Sequence, residues 1–226
     1  MTQAGPIQWR TGAGWLVLLG GGRWEETETI HSQAISAITD ESPIAFVPAA
    51  DPDPTYGESF LSFYADLGAP PGYVVPIHDR QSASDAANCR RLARASLVYL
   101  GDGSTARLIE ALEGTPAIEA LAAAFDSGAV IVGAGAGALL LGRWGVNAEA
   151  GRVYPGWGWI SDALIVPHYA IERVRHTRAA LQRYPETIAL GIPDEVALAL
   201  GPEGEVATWS ETDQQVTVTL GAKFGR

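Results

Sequence analysis

The sequence predicts a doubly wound α/β fold, with a mostly parallel sheet flanked by helices and antiparallel strands added towards the carboxyl end. Short, continuous apolar runs recur before residue 142, as expected for strands that are buried on both faces. Segments with helical spacing of their apolar residues separate these runs. After residue 186 the apolar runs follow one another with only short turns between them, which is typical of antiparallel strands.

The predicted elements alternate regularly in the amino-terminal part of the chain. The predicted strands are residues 15–19, 44–48, 73–77, 97–100 and 129–132. The predicted helices are residues 29–38, 56–67, 84–95, 106–112 and 116–125. Ser84 is suited to cap the third of these helices, with Asp85 in its first turn. This alternation of strands and helices favours parallel strand pairing.

The pattern changes after residue 141. Residues 152–159 form an aromatic, glycine-rich connector, which is also a candidate interface of a homodimer. A further strand is predicted at 163–166, a helix at 171–184, and strands at 187–192, 196–200, 206–209 and 216–220. We expect these last strands to extend the main sheet. Since there are no repeats or linker-like segments, we expect residues 1–226 to form a single domain.

Composition narrows the classes of function. The 226 residues carry a net charge of −11, with 47% hydrophobic and 18% charged residues, which is typical of a globular protein. The basic residues are scattered, so binding to nucleic acid or to an anionic membrane has no electrostatic basis. The lone Cys89 fits a reducing compartment, and no apolar run approaches the length of a membrane span. We therefore expect a soluble, cytoplasmic protein.

A strand–turn–helix unit is the most informative stretch of the chain. The apolar run 129–132 leads into Gly133-Ala134-Gly135-Ala136-Gly137 and then into an Ala/Leu segment. In many hydrolases such a turn reads G-x-S-x-G, and its central serine is the nucleophile. Here the central residue is Gly135, which has no side chain. Alternatively, these small residues only let a helix pack closely against a strand.

Other candidate site residues lie near the ends of predicted strands. In doubly wound sheets ligands bind outside the carboxyl ends of the strands, which places residues 20–22, 48–50, 101–103 and 133–137 on one rim. Gly101-Asp102-Gly103 is a turn whose amides could bind an anion or an oxyanion. The hydroxyls of Ser104 and Thr105 are better suited to cap the next helix.

One histidine and two acids complete the candidate set. His168 follows the predicted strand 163–166, and Asp194 and Glu195 precede the strand 196–200. A histidine oriented by an acid would fit the catalytic triad of a serine hydrolase. Taken singly, however, an isolated histidine is more often structural, and adjacent acids in a turn are more often exposed to solvent.

The order of these motifs gives a specific resemblance, which extends from about residue 15 to residue 200. The chain resembles the serine peptidase family that contains dipeptidase E and cyanophycinase, whose fold is similar to that of class I glutamine amidotransferases. The matching segments are Gly20-Gly21-Gly22, Phe46-Val47-Pro48, Gly101-Asp102-Gly103, residues 133–138, Pro167-His168-Tyr169 and residues 191–198.

The resemblance implies a role for each candidate. The family's serine nucleophile corresponds to Gly135, and its general base corresponds to His168. Its acid corresponds to Asp194, or to Glu195 if the match slips by one residue. The oxyanion-binding amides correspond to Gly103 and Ala136.

The glycine at the nucleophile position decides the expected function. Removing the nucleophile of a triad costs about 10⁶ in turnover, so we expect a pseudoenzyme without serine hydrolase activity. We expect it to keep a site for a small peptide or carboxylate ligand. Gly135 would even widen that site, because its amide stays available and no side chain blocks a bound carboxylate. No cofactor and no metal ion is expected.

Two other functions stay open. The first is an active hydrolase of small peptides or acidic polymers that uses another nucleophile, or a water molecule activated by His168. The second is a dinucleotide-binding protein, since residues 133–138 formally fit G-x-G-x-x-A. That fingerprint belongs after the first strand of a nucleotide-binding unit, however, and the acid that follows it here, Glu149, lies too close.

Overall fold

The computed structural model describes residues 5–51 and 53–225, which form two β-sheets with associated helices. The strands are β1 (Gln8–Trp9), β2 (Trp15–Leu19), β3 (Ile44–Val47), β4 (Gly72–Val74), β5 (Leu97–Leu100), β6 (Val130–Ala134), β7 (Gly142–Asn147), β8 (Arg152–Pro155), β9 (Ile160–Val166), β10 (Ile188–Gly191), β11 (Val196–Leu200), β12 (Val206–Ser210) and β13 (Thr217–Leu220). The helices are α1 (Glu28–Ser36), α2 (Pro54–Asp66), α3 (Arg80–Ala83), α4 (Ala86–Ala93), α5 (Thr105–Leu112), α6 (Pro116–Asp126), α7 (Ala136–Leu141) and α8 (Val174–Arg183).

The larger sheet confirms the predicted α/β class. Its strand order is β12-β11-β2-β6-β5-β3-β4, and the five strands from β2 to β4 in this order are parallel. β11 and β12 extend it in antiparallel orientation, as the short turns between them indicate. Every residue of β3, β5 and β6 is buried, which explains why these strands are continuous apolar runs.

The second sheet departs from the expectation that all the late strands extend the main one. β10 pairs with β9 in parallel, and β13 pairs with β10 in antiparallel orientation. The helix α8 lies between β9 and β10 in sequence, and such a crossover brings two strands side by side in parallel. Apolar runs and turn lengths predict strands, but they do not assign a strand to one sheet or the other.

One strand of the second sheet, β8, lies in the stretch that the sequence marks as a connector, residues 152–159. β7 pairs with β9 in parallel, and β8 pairs with β7 as an antiparallel hairpin. β8 carries no buried residue, so it lacks the apolar pattern that identifies the other strands. Gly and Pro in this hairpin further weaken the strand signal.

Local details correct two predictions of element boundaries. The segment 84–95 is not one helix from Ser84, because Asp85 caps α4 through the backbone amides of Ala87 and Asn88. The predicted strand 73–77 pairs only over Gly72–Val74. Pro76, two residues after the end of β4, has no amide hydrogen for a further ladder bond.

The two sheets contribute to one hydrophobic cluster. Buried side chains of Leu16 and Ile131 from the larger sheet belong to the same cluster as Ile165 and Leu190 from the second. This packing fixes the carboxyl end of β9 relative to the ends of β2 and β6. No helix in the described part of the chain has the length and apolar character that spanning a bilayer requires.

Candidate functional site

The turn between β6 and α7 has the backbone of a nucleophile elbow. Gly135 adopts φ +47° and ψ −105°, a conformation that favours glycine, and α7 begins at the next residue. The close packing of the alternative interpretation is also present, because a Cβ at Gly133 would lie 2.7 Å from backbone atoms of Gly137 and Ala138. The stretch therefore combines tight helix–strand packing with the sharp turn that presents a nucleophile in related architectures.

The side chain of Asp102 fills the space above this turn. Asp102 follows β5, and its Oδ1 accepts hydrogen bonds from the amides of Ala136 (2.9 Å) and Gly103 (2.7 Å). A Cβ at position 135 would overlap the carboxyl carbon and both oxygens of Asp102. The carboxylate thus lies where a side chain at 135 would begin.

This arrangement corrects the expectation of a wider, open site at Gly135. The amide of Gly135 donates to the carbonyl of Leu19 (3.0 Å), so it is not available to a ligand. The two amides predicted to bind an oxyanion, those of Gly103 and Ala136, do converge on one point. That point is occupied by an oxygen of Asp102.

His168 joins Asp102 to a second carboxylate. It follows β9, and its Nε2 lies 3.1 Å from Oδ2 of Asp102, while its Nδ1 lies 2.7 Å from Oδ1 of Asp194. The backbone of His168 has φ +50°, and its amide donates to the carbonyl of Gly20. A non-glycine residue in this region is unusual, and such backbone strain clusters at functional sites.

Asp194, rather than Glu195, is the acid that contacts His168. Glu195 has φ +61°, and its amide donates to the carbonyl of Gly21. This bond ties the turn that carries both acids to the end of β2. The sequence left the choice between the two acids open, because a slip of one residue in the match exchanges them.

The charges of the three side chains are strongly coupled. Hydrogen bonds to Asp102 and then to Asp194 raise the pKa of His168 to about 10. Burial acts to raise the pKa of Asp102, but the bonds from His168 and from the amide of Ala136 outweigh it and lower the pKa. The hydrogen bond from His168 likewise lowers the pKa of Asp194. At neutral pH the site is therefore an imidazolium between two carboxylates.

The glycine triplet after β2 allows the chain to pass directly beside this group. Gly21 has φ +150°, and a Cβ there would overlap the imidazole of His168 and the carboxylate of Asp194. A Cβ at Gly20 would overlap the carbonyl of Pro193. The predicted position of residues 20–22 on the rim agrees with these contacts.

A cavity of about 220 Å³ opens beside the Asp102–His168 pair. Its lining includes carboxylates, a cation and neutral groups, namely Asp102, Thr105, Ala136, Asn147, Glu149 and Arg173. Among the described residues, no group of three or more His, Cys, Asp or Glu side chains is arranged to hold a metal ion.

Sequence reasoning missed several of these residues. Asn147 and Glu149 reach the cavity from the end of β7, a strand without a clear signal, and Arg173 reaches it from the turn before α8. Asp102 was predicted for the backbone of its turn and not for its side chain. A charged residue inside a glycine turn on the rim is the sequence feature from which a role for its side chain could have been predicted.

Known peptidases share sequence features with this chain. The model of peptidase family S51 matches residues 16–206. Cyanophycinases of Synechococcus elongatus and of Thermosynechococcus vestitus (strain NIES-2133 / IAM M-273 / BP-1) are each 22% identical over 173 residues, which is 71% of this chain and 54% of theirs. The chain thus spans about half the length of the curated relatives it matches.

Two solved structures share the fold. A crystal structure of a peptidase from an acI-B1 Actinobacterium has a TM-score of 0.71 and 18% identity, and the match covers 96% of this chain and 97% of that one. The 1.5 Å structure of a candidate peptidase E protein from Listeria monocytogenes EGD-e has a TM-score of 0.64 and 16% identity, covering 88% and 99%.

Proposed function

The chain belongs to peptidase family S51, and we propose that it has lost serine acyl transfer and binds a small peptide at the ends of the strands. One observation carries this proposal. Position 135 has no hydroxyl, and the carboxylate of Asp102 fills the space of the missing side chain. The turn therefore carries no hydroxyl nucleophile at position 135, and the carboxylate of Asp102 occupies the space that such a side chain would need.

The protonation of His168 supports the same conclusion. A general base must accept a proton from the nucleophile, which requires a free lone pair on Nε2. With its pKa raised to about 10 by the two carboxylates, His168 is protonated at neutral pH and has no such lone pair. It therefore does not activate a hydroxyl in this state.

Neither nearby hydroxyl replaces the serine. Ser104 caps α5, where its side chain accepts the amide hydrogen of Arg107. Thr105 is buried and lines the cavity. No hydrogen bond connects either side chain to His168 in the described part of the chain.

The cavity favours a small ligand that carries both charges. Its volume of about 220 Å³ lies below the roughly 300–1,000 Å³ of pockets for drug-sized ligands. Arg173 offers a cation for the carboxylate of an amino acid or short peptide, and Glu149 offers an anion for its amino group. A dipeptide or a free amino acid fits this description better than a cofactor or a polymer chain.

An active hydrolase without a serine nucleophile is the second candidate. It is favoured by the 3.1 Å distance between Nε2 of His168 and Oδ2 of Asp102, which is within the reach expected of a nucleophile and its partner histidine.

Calorimetric titration with dipeptides and free amino acids tests the main proposal. We expect binding without hydrolysis, and a loss of about tenfold in affinity in Arg173→Ala and in Glu149→Gln, because each removes a charge-assisted contact. Arg178→Ala, an exposed arginine on α8, is the matched control and should bind like the wild type. Labelling of the wild type by a fluorophosphonate, or peptide hydrolysis that disappears in His168→Ala, would contradict the proposal.

A further inference from the structure

We propose that Asp102 is a carboxylate nucleophile that opens small epoxides through an ester intermediate. This inference rests on the proposed loss of serine chemistry, and it gives the second candidate function a nucleophile and a class of substrate. The observation that supports it is the set of contacts made by the two carboxylate oxygens of Asp102.

The two oxygens of Asp102 face different groups. Oδ2 lies 3.1 Å from Nε2 of His168, within the reach expected of a nucleophile and its partner histidine. Oδ1 lies 2.9 Å and 2.7 Å from the amide nitrogens of Ala136 and Gly103, which matches the spacing of oxyanion donors. One oxygen is therefore placed to react, and the other is placed where negative charge would develop.

The empty position at Gly135 is part of this arrangement. Because a Cβ at position 135 would overlap the carboxylate, the side chain of Asp102 can lie over this turn only when residue 135 is glycine. The side chain of Asp102 is about one-third exposed and borders the cavity, so a small molecule can reach it.

The reactivity of a carboxylate nucleophile restricts the class of substrate. Attack of a carboxylate on a peptide carbonyl would give an anhydride, which is less stable than the amide that it replaces. Attack on a tetrahedral carbon gives an ester, which is stable enough to form and still open to hydrolysis. The N–H of protonated His168 can donate a proton to a leaving oxygen, and an epoxide combines such an oxygen with a reactive tetrahedral carbon.

The first step forms a bond between Oδ2 of Asp102 and one epoxide carbon. The carbon–oxygen bond of the ring breaks, and its electron pair passes to the ring oxygen. That oxygen takes the proton from Nε2 of His168. The products are a hydroxyalkyl ester of Asp102 and a neutral imidazole.

The second step hydrolyses this ester. Neutral His168 takes a proton from water, whose oxygen adds to the carboxyl carbon, and Oδ1 becomes negative opposite the amides of Ala136 and Gly103. Collapse expels the alcohol, which carries Oδ2 away and takes the proton from His168. The new carboxylic acid returns a proton to His168, so the sum is an epoxide plus water giving a diol.

Formation of the ester also changes the role of His168. The ester at Asp102 is neutral, so the larger of the two contacts that raise the pKa of His168 loses its charge. The imidazole can then act as a base, which it cannot do between two carboxylates.

Intact-protein mass spectrometry with glycidol, glycidamide and styrene oxide tests this proposal. We expect the wild type to release diol. In His168→Gln the opened ring oxygen must take its proton from water, so we expect an adduct with the mass of the epoxide to form more slowly at Asp102 and then to persist, because hydrolysis of the ester lacks its base. Asp102→Ala should give neither product nor adduct at this position. Alanine is used because asparagine before Gly103 would deamidate back to aspartate. Glu110→Gln, an exposed acid on α5, is the control and should behave like the wild type.

A single turnover in H₂¹⁸O decides the route even if a variant fails to fold. Hydrolysis through the ester places one ¹⁸O in Asp102 and none in the first diol released. Finding ¹⁸O in that diol, or no adduct and no diol with any of the three epoxides, would overturn the proposal. Peptide binding in the calorimetric titration is independent of this result, so failure here and failure of the proposed function are distinguishable.

Discussion

The carboxylate of Asp102 lies in the space that a side chain at position 135 would occupy, and Gly135 is what leaves that space free. The two residues stand on the loops after β5 and β6, which are neighbouring parallel strands. An acid at 102 and a glycine at 135 are therefore complementary, and a change at one position has consequences at the other.

Gly135→Ser alone should fail to restore a serine hydrolase. The new Cβ would overlap the carboxylate of Asp102, so we expect a loss of about 1–3 kcal/mol in the free energy of unfolding, as for other overpacked sites. Urea denaturation measures this loss, and a fluorophosphonate should not label the variant.

The double variant Gly135→Ser, Asp102→Gly tests whether the loss of stability comes from overlap between the side chains at positions 135 and 102. Removing the acid should recover stability relative to the sum of the single variants, with a coupling on the order of 1 kcal/mol. We expect labelling by a fluorophosphonate only in the double variant. Additive free energies, or labelling of the single variant, would mean that the two side chains do not compete for one space.

Much of this fold follows from the sequence because its central strands are buried on both faces. Burial requires apolar residues at every position, and such runs at β2, β3, β5 and β6 are easily recognised. β8 has no buried residue and β4 is only three residues long, so the sequence pattern marks these strands poorly. The partition into two sheets depends on tertiary contacts between distant segments.

Some features of the site likewise follow from the sequence, and others do not. The positions of His168 and of the acidic turn follow from their places after β9 and before β11, since strand ends form the rim. The direction of the Asp102 side chain does not follow, because it depends on an amide contributed by α7, 34 positions away. The contact between Asp102 and His168 also depends on the position of a third element, β9, which His168 follows.

Gly21→Ala should disturb the pair His168–Asp194. A Cβ at position 21 would overlap both side chains, and the φ of +150° adds backbone strain. We expect a loss of about 2–4 kcal/mol in the free energy of unfolding, measured with urea. Gly68→Ala is the matched control, because Gly68 has φ +82° and an added methyl group there would have no atom within 4 Å. Equal losses in both variants would show that strain alone, and not overlap with the pair, is responsible.

His168 should stay protonated through neutral pH. Its two carboxylate partners raise the pKa to about 10, so we expect the ¹⁵N shifts of its ring to titrate near that value in NMR spectra. Asp102→Ala removes the larger cause and should lower the pKa, and Asp194→Ala should lower it less. A ring that titrates near 6.5 in the wild type would contradict the coupled site.

Two histidines should make the stability of the protein fall on either side of a maximum near pH 6.5. Burial lowers the pKa of His31 to about 4, and its ring is neutral between the hydroxyls of Tyr64 (2.8 Å) and Thr27 (3.1 Å). The unfolded chain binds a proton at His31 below about pH 6.5 while the folded chain does not, so stability should fall by about 3 kcal/mol between pH 6.5 and 4.

The loss of stability above pH 6.5 has the opposite cause. His168 binds its proton more tightly in the folded chain, so its contribution is complete below about pH 6.5 and is lost as the pH rises towards 10. Urea denaturation across this range should show a shallower acid limb in His31→Gln and a shallower alkaline limb in His168→Gln. Between pH 6.5 and 5, above the range in which the carboxylates bound to His168 titrate, each variant should leave the other limb intact, because His31 packs against Tyr64 and Tyr99 and its ring nitrogens bond to Tyr64 and Thr27. If His168→Gln flattened the acid limb in this range, His168 would not be held as an imidazolium in the folded protein.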